Sequence, residues 1–265
     1  MTANFPGRIV KEGEADNALV GKIQGALKER GYGPFRTPGF DAAMTSIVKL
    51  FQSQHVDADG HALIVDGEIG RLTWGALFGL PPVVPASAPS VLMLQALGIA
   101  GSQVGQMEVP PGSNRGPMVD AYLRSADIDP TRGSVDARAW CMAFVYLAFK
   151  TAADSLGVVN PLPRTAGCLD HWNLAAGRPG VKRIPAQAAA ADPTLLRPGV
   201  IAILDFGSGH GHTGVVERVM PGGRLMTVEG NTNNSGSRSG VGVFRLDRRK
   251  LTDATLKGFV DYTDA

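Results

Sequence analysis

Several features that mark secreted, membrane-spanning and nucleic-acid-binding proteins are scarce or missing in this chain of 265 residues. It contains only two cysteines, Cys141 and Cys168, which excludes a disulfide-stabilised framework. No run of about 18 apolar residues is present, so we expect no transmembrane helix. The formal net charge of +2 is too close to zero to indicate nucleic acid as a partner.

Export signals and metal-ligand spacings are missing as well. Residues 1–8 lack the apolar stretch of a secretory signal peptide, so we expect no export signal and both cysteines to be reduced. No spacing of histidine, cysteine and carboxylate side chains indicates a metal site, and we expect no cofactor. Asp127, Asp129 and Asp136 come closest, but the residues after Asp129 do not make a convincing oxygen cage for calcium.

A segment rich in proline and alanine, and free of charge, divides the chain at residues 81–91. Its composition predicts a stiff, extended linker. The flanking segments, 1–80 and 92–265, are each long enough to form a hydrophobic core of their own. We therefore expect a monomer of two domains.

The N-terminal segment has the apolar periodicity of helices. Apolar residues recur at helical spacing within residues 16–30, and residues 45–54 and 72–78 repeat the pattern. A Gly-Tyr-Gly-Pro sequence at 31–34 ends the first of these stretches. The pattern predicts a small all-α domain of three helices.

The most informative stretch of the C-terminal segment begins at Trp140 and Cys141. Almost no polar side chain follows until Lys150, which predicts a buried helix with Cys141 in its first turn. Free N–H groups and the positive end of the helix dipole favour a thiolate there, so the pKa of such a cysteine can fall well below its ordinary value. The alternative is an inert core cysteine, because free cysteine is among the most buried residue types.

Polar residues suited to assist a thiol occur later in the chain. His212 follows a glycine-rich turn between two predicted strands, 200–206 and 215–219. The next predicted strand ends with Glu229, and Asn231 comes shortly after it. A cysteine, a histidine and a carboxylate or amide supply a nucleophile, a base and an orienting group. Taken alone, His212 could be a structural histidine and the acidic segment a solvated turn.

The ordered motifs of the C-terminal segment are Trp140-Cys141-x-Ala143-Phe144-Val145, Pro198-Gly199, Gly211-His212-x-Gly214-Val215-Val216 and Glu229-Gly230-Asn231. They resemble the CHAP family of cysteine amidohydrolases and peptidases, which cut peptidoglycan. The likeness runs from Leu94 to the C-terminus and departs at Val200, where the family commonly has aspartate. The resemblance implies an α+β, papain-like catalytic domain with an antiparallel sheet.

Roles for individual residues follow from this resemblance. It implies that Cys141 is the nucleophile, His212 the general base, Glu229 the third member of the catalytic set and Asn231 a fourth polar residue. It also favours His212 over the nearby His210 as the base.

Four further residues near these motifs receive expectations of their own. We expect Trp140 and Trp172 to contact substrate, since the segment around Trp172 should line or cover the cleft. Cys168, on a predicted helix, is interpreted as a packing residue. His171 is a candidate second base by residue type only.

The N-terminal motifs are Ile23-Gln24-x-x-Leu27, Val48-x-x-Phe51-Gln52, Val65-Asp66-Gly67-x-Ile69-Gly70 and Thr73-Trp74-x-x-Leu77. They resemble the small three-helix peptidoglycan-binding domain, which implies that Asp66, Gly67 and Trp74 contact the cell wall. The first repeat departs from the family, because Phe40-Asp41-Ala42-Ala43 stands where Asp-Gly-x-Phe-Gly is usual. The alternative is a helical scaffold that binds nothing.

Together these features predict a peptidoglycan hydrolase that cleaves an amide bond. A binding module, a hydrolase and no signal peptide resemble a phage endolysin, made in the host cytoplasm and reaching the wall after the inner membrane opens. A bacterial wall-remodelling enzyme or a secreted effector has the same chemistry. A non-catalytic wall-anchoring protein is the alternative of another class, and the sequence leaves open which amide is cut.

Overall fold

The computed structural model describes residues 5–57, 62–79, 83–233 and 240–265. The chain separates into two compact units, Met1–Pro82 and Val83–Ala265. Each unit has its own cluster of buried apolar side chains. No helix in the described ranges combines the length and the apolar character that crossing a membrane requires.

The first unit is built from three helices in its described part. They are α1 (Asn17–Lys28), α2 (Ala42–Gln54) and α3 (Arg71–Phe78). Asp16 and Asp41 cap the first two, since each carboxylate accepts a hydrogen bond from a backbone N–H in the first turn. The apolar faces of the helices pack together in a core that includes Ile23, Phe51 and Leu77. These bounds lie within three residues of the helices expected from periodicity.

The turn at Asp66 and Gly67, just before α3, is hydrogen-bonded to Gln52 of α2. Gly67 has φ +81, and a Cβ at this position would lie 2.6 Å from Cγ2 of Thr45. The Gly67 N–H donates to Oε1 of Gln52 at 2.8 Å, and Nε2 of Gln52 donates to Oδ1 of Asp66 at 2.9 Å. Because the turn needs both a left-handed conformation and empty space, glycine is the residue that fits there.

The second unit is an α+β structure. Its helices are α4 (Val91–Ser102), α5 (Pro117–Ser125), α6 (Cys141–Leu156), α7 (Cys168–Leu174) and α8 (Ala186–Ala191). Its strands are β1 (Lys182–Pro185), β2 (Ile201–Gly207), β3 (His210–Val219), β4 (Arg224–Thr232), β5 (Gly242–Lys250) and β6 (Leu256–Asp261). In the described ranges these six strands form one antiparallel sheet in the order β1-β6-β2-β3-β4-β5.

Helix α6 is the central element of this unit. It is buried over most of its length and packs against α4, α5, β3 and β4. Gly230 on β4 lets it approach the sheet, because a Cβ there would lie 2.7 Å from Cγ of Phe144 and 2.8 Å from Cζ3 of Trp140. Gly157 ends the helix in a left-handed conformation, as a C-terminal glycine commonly does. The N-terminus of α6, with Cys141 as its first residue, is thereby held against β3 and β4.

The expected linker is associated with the second unit where the structure describes it. The Val83 N–H donates to the carbonyl of Val219 at 2.8 Å, and the Ala86 N–H donates to the carbonyl of Thr194 at 2.8 Å. Ser90 caps α4. The second unit therefore starts at Val83 rather than at residue 92, because this segment supplies backbone hydrogen bonds to it. Residues 81 and 82 of the expected linker lie outside the described residues.

Candidate active site

Three residues from distant parts of the chain meet at the N-terminus of α6. Cys141 is the first residue of that helix, His212 lies on β3, and Glu229 lies on the neighbouring strand β4. Nε2 of His212 donates to Oε2 of Glu229 at 2.8 Å, and both side chains are buried. Gly214 makes room for this contact, since a Cβ there would lie 2.6 Å from Cγ of Glu229.

The second nitrogen of His212 faces the cysteine. Nδ1 of His212 is buried and makes no hydrogen bond of standard geometry within the described ranges. Nε2 is occupied by Glu229, so Nδ1 is the nitrogen left to interact with the Cys141 sulfur. The order cysteine, imidazole, carboxylate is the arrangement in which a base activates a nucleophile and a third group orients the base.

Glu229 is held by more than the histidine. Oγ1 of Thr227 donates to Oε1 of Glu229 at 2.8 Å. Arg249 on β5 donates from Nε to Oε1 at 3.1 Å and from an Nη to Oε2 at 2.9 Å, a bidentate pair. Burial opposes ionisation, but His212 and Arg249 outweigh it and lower the pKa of Glu229 to about 2.

The electrostatics favour an ion pair between Cys141 and His212. Burial by itself would lower the pKa of His212, but the hydrogen bonds and charges of Cys141 and Glu229 raise it to about 9. A hydrogen bond from Cys168, the neighbouring His212 and the Met142 backbone N–H together hold the pKa of Cys141 well below its ordinary value against the effect of burial. Both shifts favour a thiolate on Cys141 paired with an imidazolium on His212.

Cys168 lies beside the nucleophile candidate. Its Sγ is 3.3 Å from Sγ of Cys141, and neither cysteine is in a disulfide. The expectation that Cys168 only packs is incomplete, because its sulfur reaches the site and lines the same cleft as Cys141. Nothing in the sequence marks this, since the two residues are 27 positions apart and on different helices.

A cleft of ≈ 560 Å³ opens over Cys141. Its walls are the segments around Asn114, Ala137 and Gly167, the β2–β3 turn with His210, and Asn231. Its size and its position over an activated thiol fit a substrate groove.

Asn231 fixes the geometry at the edge of this cleft. It follows Gly230 on β4 with φ 53. With its amide oriented to satisfy both groups, its oxygen accepts from the Trp140 N–H at 3.0 Å and its nitrogen donates to the Gly240 carbonyl at 3.2 Å. Asn231 therefore ties the end of β4 to the start of α6, and its amide is engaged by backbone groups rather than by His212.

Neither of the two tryptophans expected to contact substrate lines this cleft. Trp140 is 0 % exposed, stacks on Tyr122, and donates from Nε1 to Oε1 of Glu108 at 2.9 Å. Its side chain is core because the start of α6 is packed against β4. Trp172 is half-buried under the guanidinium of Arg183, 5.0 Å from the ring centre, and does not line the cleft described above.

The three residues expected to contact the cell wall are structural parts of the first unit. Trp74 is buried, with its ring against Phe5 and Phe78. Gly67 is buried in the turn described above, and Asp66 stabilises that turn by accepting from Gln52 and from the Glu68 N–H. Trp74 and Gly67 therefore present almost no free surface to a ligand, whereas Asp66 is exposed.

The structure separates the three histidines near the site. His212 is buried, whereas His210 is exposed at the rim, with Nδ1 donating to the Ser208 carbonyl at 2.9 Å. The pairing of β2 with β3 contains a bulge between Asp205 and Gly207, next to the exposed His210. Nε2 of the buried His171 lies 3.1 Å from the Tyr262 hydroxyl, and burial lowers the pKa of His171 to about 3. His171 does not line the cleft.

Among the described residues, no group of three or more histidine, cysteine, aspartate or glutamate side chains is arranged so that it could hold a metal ion. Asp129 instead accepts from Thr131 and pairs with Arg132. Asp127 pairs with Arg164.

Arg249 is a second residue of the site that nothing in the sequence marks. It lies in a run of basic residues at the end of β5, where nothing distinguishes it from its neighbours. Only the pairing of β4 with β5 brings it to Glu229.

Comparison with known proteins places this site within a family segment. Residues 133–231 match the sequence model of the CHAP domain. The matched segment contains Cys141, His212 and Glu229 and ends at Asn231. The match supports a CHAP-domain protein and a hydrolytic enzyme of the bacterial cell wall in general terms, without distinguishing an amidase from an endopeptidase. Searches of curated proteins and of solved structures found no match to the chain.

Two arginines on β5 provide a matched test of the buried ion pair. Arg249→Met should lower the free energy of unfolding by on the order of 3 kcal/mol, because it leaves the buried Glu229 charge without its bidentate partner. Arg245→Met, which removes the exposed pair of Arg245 with Glu217, should cost less than about 1 kcal/mol. Urea denaturation of both variants measures the difference. Equal losses would show that the Glu229 pair is no more important than a surface pair.

Proposed function

We propose that this protein is a cysteine hydrolase that cleaves an amide bond of peptidoglycan, with Cys141 as nucleophile, His212 as general acid and base, and Glu229 as the orienting carboxylate. The observation that carries the proposal is the buried contact of His212 with Glu229 at 2.8 Å, beside a cysteine whose sulfur lines an open cleft. The CHAP match over the same residues supports peptidoglycan as the substrate. We further propose a papain-like architecture for this unit, supported by its α+β composition and by the nucleophile at a helix N-terminus.

The first half of the reaction transfers the acyl group to the enzyme. The Cys141 thiolate attacks the amide carbonyl carbon, and a carbon–sulfur bond forms. His212 donates its Nδ1 proton to the amide nitrogen, the carbon–nitrogen bond breaks, and the amine leaves. A thioester to Cys141 and a neutral His212 remain.

Water completes the reaction. Neutral His212 takes a proton from a water molecule, whose oxygen attacks the thioester carbon. The carbon–sulfur bond breaks, the carboxylic acid product leaves, and the thiolate–imidazolium pair is restored. Glu229 keeps Nε2 of His212 protonated in both halves, so that Nδ1 is always the nitrogen that exchanges the proton.

The start of α6 stabilises the negative charge that develops on the carbonyl oxygen. The N–H groups of the first turn of a helix have no intrahelical acceptor and lie at the positive end of the dipole. Cys141 is the first residue of α6, so its own N–H is available beside the attacking sulfur. Asn231 supports this arrangement, because its amide oxygen accepts a hydrogen bond from the N–H of Trp140, the residue before Cys141.

Substitutions at the site test the assignment. Cys141→Ala should abolish hydrolysis of purified peptidoglycan, and His212→Ala should lower the rate by roughly 10²–10⁴-fold, because proton transfer is lost. Glu229→Gln should reduce the rate strongly but leave measurable activity, since nucleophile and oxyanion donors remain. His210→Ala, two residues from the base and exposed at the rim of the cleft, is the matched control and should cost far less than His212→Ala, because His210 takes no part in the proton transfer.

These variants are assayed by the turbidity of a wall suspension and by mass spectrometry of the released fragments. The fragments also reveal whether the lactyl amide next to the sugar or a peptide bond of the stem or cross-link is cut. Hydrolysis that survives in Cys141→Ala, or an inactive His210→Ala beside an active His212→Ala, would overturn the assignment.

The pH dependence follows from the ion pair. Activity needs the thiolate and the imidazolium together, so it should fall in acid once the pH drops below the lowered pKa of Cys141. It should fall again in alkali with a midpoint near the His212 pKa of about 9, as the proton needed by the leaving amine is lost. Initial rates on soluble wall fragments across this range measure both limbs. A rate that keeps rising through pH 9 toward the ordinary cysteine pKa would contradict a preformed pair.

We propose that the first unit binds peptidoglycan and that the protein acts as a phage endolysin in which this unit concentrates the hydrolase on the wall. Support comes from the motif resemblance and from exposed apolar side chains beside the turn before α3, where Ile64, Val65 and Leu72 are 76 %, 50 % and 59 % exposed. These residues replace the buried Trp74 and Gly67 as candidate contacts. An endolysin made inside a cell should lyse that cell only after the inner membrane has been opened. A wall-remodelling enzyme or a delivered effector would not show this dependence on membrane opening in the cell that makes it.

Co-sedimentation with insoluble peptidoglycan tests the binding role. The full chain carrying Cys141→Ala should sediment with the wall, and residues 83–265 with the same substitution should remain largely in the supernatant. Ile64→Ser added to the full chain with Cys141→Ala should weaken sedimentation. Ile64→Ser in the chain that keeps Cys141 should leave the cleavage of soluble fragments unchanged, because tethering matters only on whole walls. Equal sedimentation of the full and shortened chains would leave the first unit as a scaffold only.

A further inference from the structure

The proximity of Cys168 to Cys141 is not explained by the three-residue arrangement. The two sulfurs are 3.3 Å apart, a distance at which a thiol hydrogen bonds to a thiolate, and each residue is largely buried, with 4 % and 6 % exposure. Both nevertheless line the cleft, so the contact lies at the reacting atom and not behind it.

The fold holds Cys168 in this position from behind. Cys168 begins α7, which packs against β2 and β3. Gly211 on β3 leaves room for it, because a Cβ on Gly211 would lie 3.2 Å from Cβ of Cys168 and 3.2 Å from Cγ of Leu169. The glycine that precedes His212 therefore determines how close α7 and its first side chain come to the site.

We propose that Cys168 is a positioning residue whose S–H donates a hydrogen bond to the Cys141 thiolate and keeps that sulfur charged and fixed in the cleft. The proposal rests on the proposed function in that Cys141 is taken to be the nucleophile. A buried anion requires hydrogen-bond donors, and Cys168 adds one to those that His212 and the Met142 N–H supply.

The direction of this hydrogen bond follows from the surroundings of each sulfur. Both cysteines begin a helix, but Cys141 also has the His212 imidazolium beside it, which stabilises a negative charge. The contact with Cys141 and burial raise the pKa of Cys168 well above its ordinary value, and the carboxylate of Asp170 adds to the effect. The proton therefore stays on Cys168 while Cys141 is ionised.

A donor to the thiolate and a simple packing residue predict different behaviour. When the thioester forms, the sulfur loses its charge and with it most of the hydrogen bond. Cys168 therefore stabilises the resting thiolate, and its removal should shift the acid limb of activity to higher pH without changing KM. A packing residue would alter stability or KM but would leave the acid limb where it is.

The rate of Cys141 alkylation measures the thiolate directly and needs no peptidoglycan. Full-length wild type, Cys168→Ala and Cys168→Ser are reduced, kept anaerobic so that the adjacent sulfurs of the wild type do not oxidise to a disulfide, and treated with iodoacetamide between pH 4 and pH 10. Peptide mapping by mass spectrometry reports the label on Cys141 alone. The midpoint is read as the apparent pKa of the coupled Cys141–His212 pair.

The Cys168→Ala variant should raise this midpoint by about one unit, so that the thiolate fraction at a fixed acidic pH falls roughly tenfold. Cys168→Ser restores a donor of similar size and should return the midpoint to near the wild-type value. Cys168→Val fills the volume without a donor and replaces the alanine variant if that one does not fold. An unchanged or lowered midpoint in Ala or Val, or a serine variant shifted as far as they are, would overturn the proposal.

The two proposals fail separately. If Cys141→Ala still hydrolyses peptidoglycan, the proposed function is wrong whatever the alkylation midpoints show. If the alkylation midpoint does not respond to Cys168 while Cys141→Ala is inactive, the hydrolase assignment stands and only the role of Cys168 is lost.

Discussion

The site depends on keeping the Glu229 carboxylate ionised inside the protein. Burial opposes this charge, and the structure offsets the cost with the bidentate Arg249, the Thr227 hydroxyl and the His212 ring. Once ionised, Glu229 stabilises the positive charge on His212, and that charge in turn stabilises the Cys141 thiolate. The charges therefore alternate in sign from β5 through β4 and β3 to the first turn of α6, and each one lowers the cost of burying the next.

Packing sets the distances within this chain of charges. A helix as apolar as α6 is driven into the interior by burial of its side chains, and it carries Cys141 with it. How closely it can approach depends on the glycines of the strands, because side chains on Gly214 and Gly230 would overlap Glu229, Trp140 and Phe144. The small residues next to the reactive ones thus have a physical role that is as specific as that of the reactive residues.

The cleft around the sulfur is formed by segments that lie far apart in the chain. Turns near Asn114 and Ala137, the start of α7 and the β2–β3 turn contribute to it, and a second thiol sits 3.3 Å from the first. A hydrolase that uses a thiolate needs donors that stabilise the sulfur without blocking the approach of a carbonyl. A neutral thiol at the wall of the cleft meets both conditions, because it is small and donates a single weak hydrogen bond.

Local pattern was sufficient to predict much of the fold. Helical periodicity predicted the three helices of the first unit within three residues, and the apolar run after Trp140 predicted a buried helix beginning with Cys141. A strand at 215–219 and one ending with Glu229 were predicted from β-branched residues and turns. The structure begins the first of these at His210, so that it includes His212, and places both in one antiparallel sheet. The family resemblance from which Cys141, His212 and Glu229 were chosen agrees with the CHAP match over residues 133–231.

Residue types alone were a poor guide to which side chains face a ligand. Trp140, Trp74 and Gly67 were expected at binding surfaces, yet packing against neighbouring elements buries all three. Burial is set by what a residue meets across the fold, and aromatic side chains serve cores and binding sites equally well.

The sequence by itself determined the approximate helices and strands and the candidate reactive residues, because each is encoded within a few neighbouring positions. Only the tertiary structure decided that Arg249 holds Glu229, that His212 rather than His210 is buried, and that Cys168 meets Cys141. These contacts join strands and helices that are far apart in the chain, and their distances depend on strand register and on the space left by glycines. Neither quantity can be read from a local pattern, because both arise only when the sheet and the helices pack together.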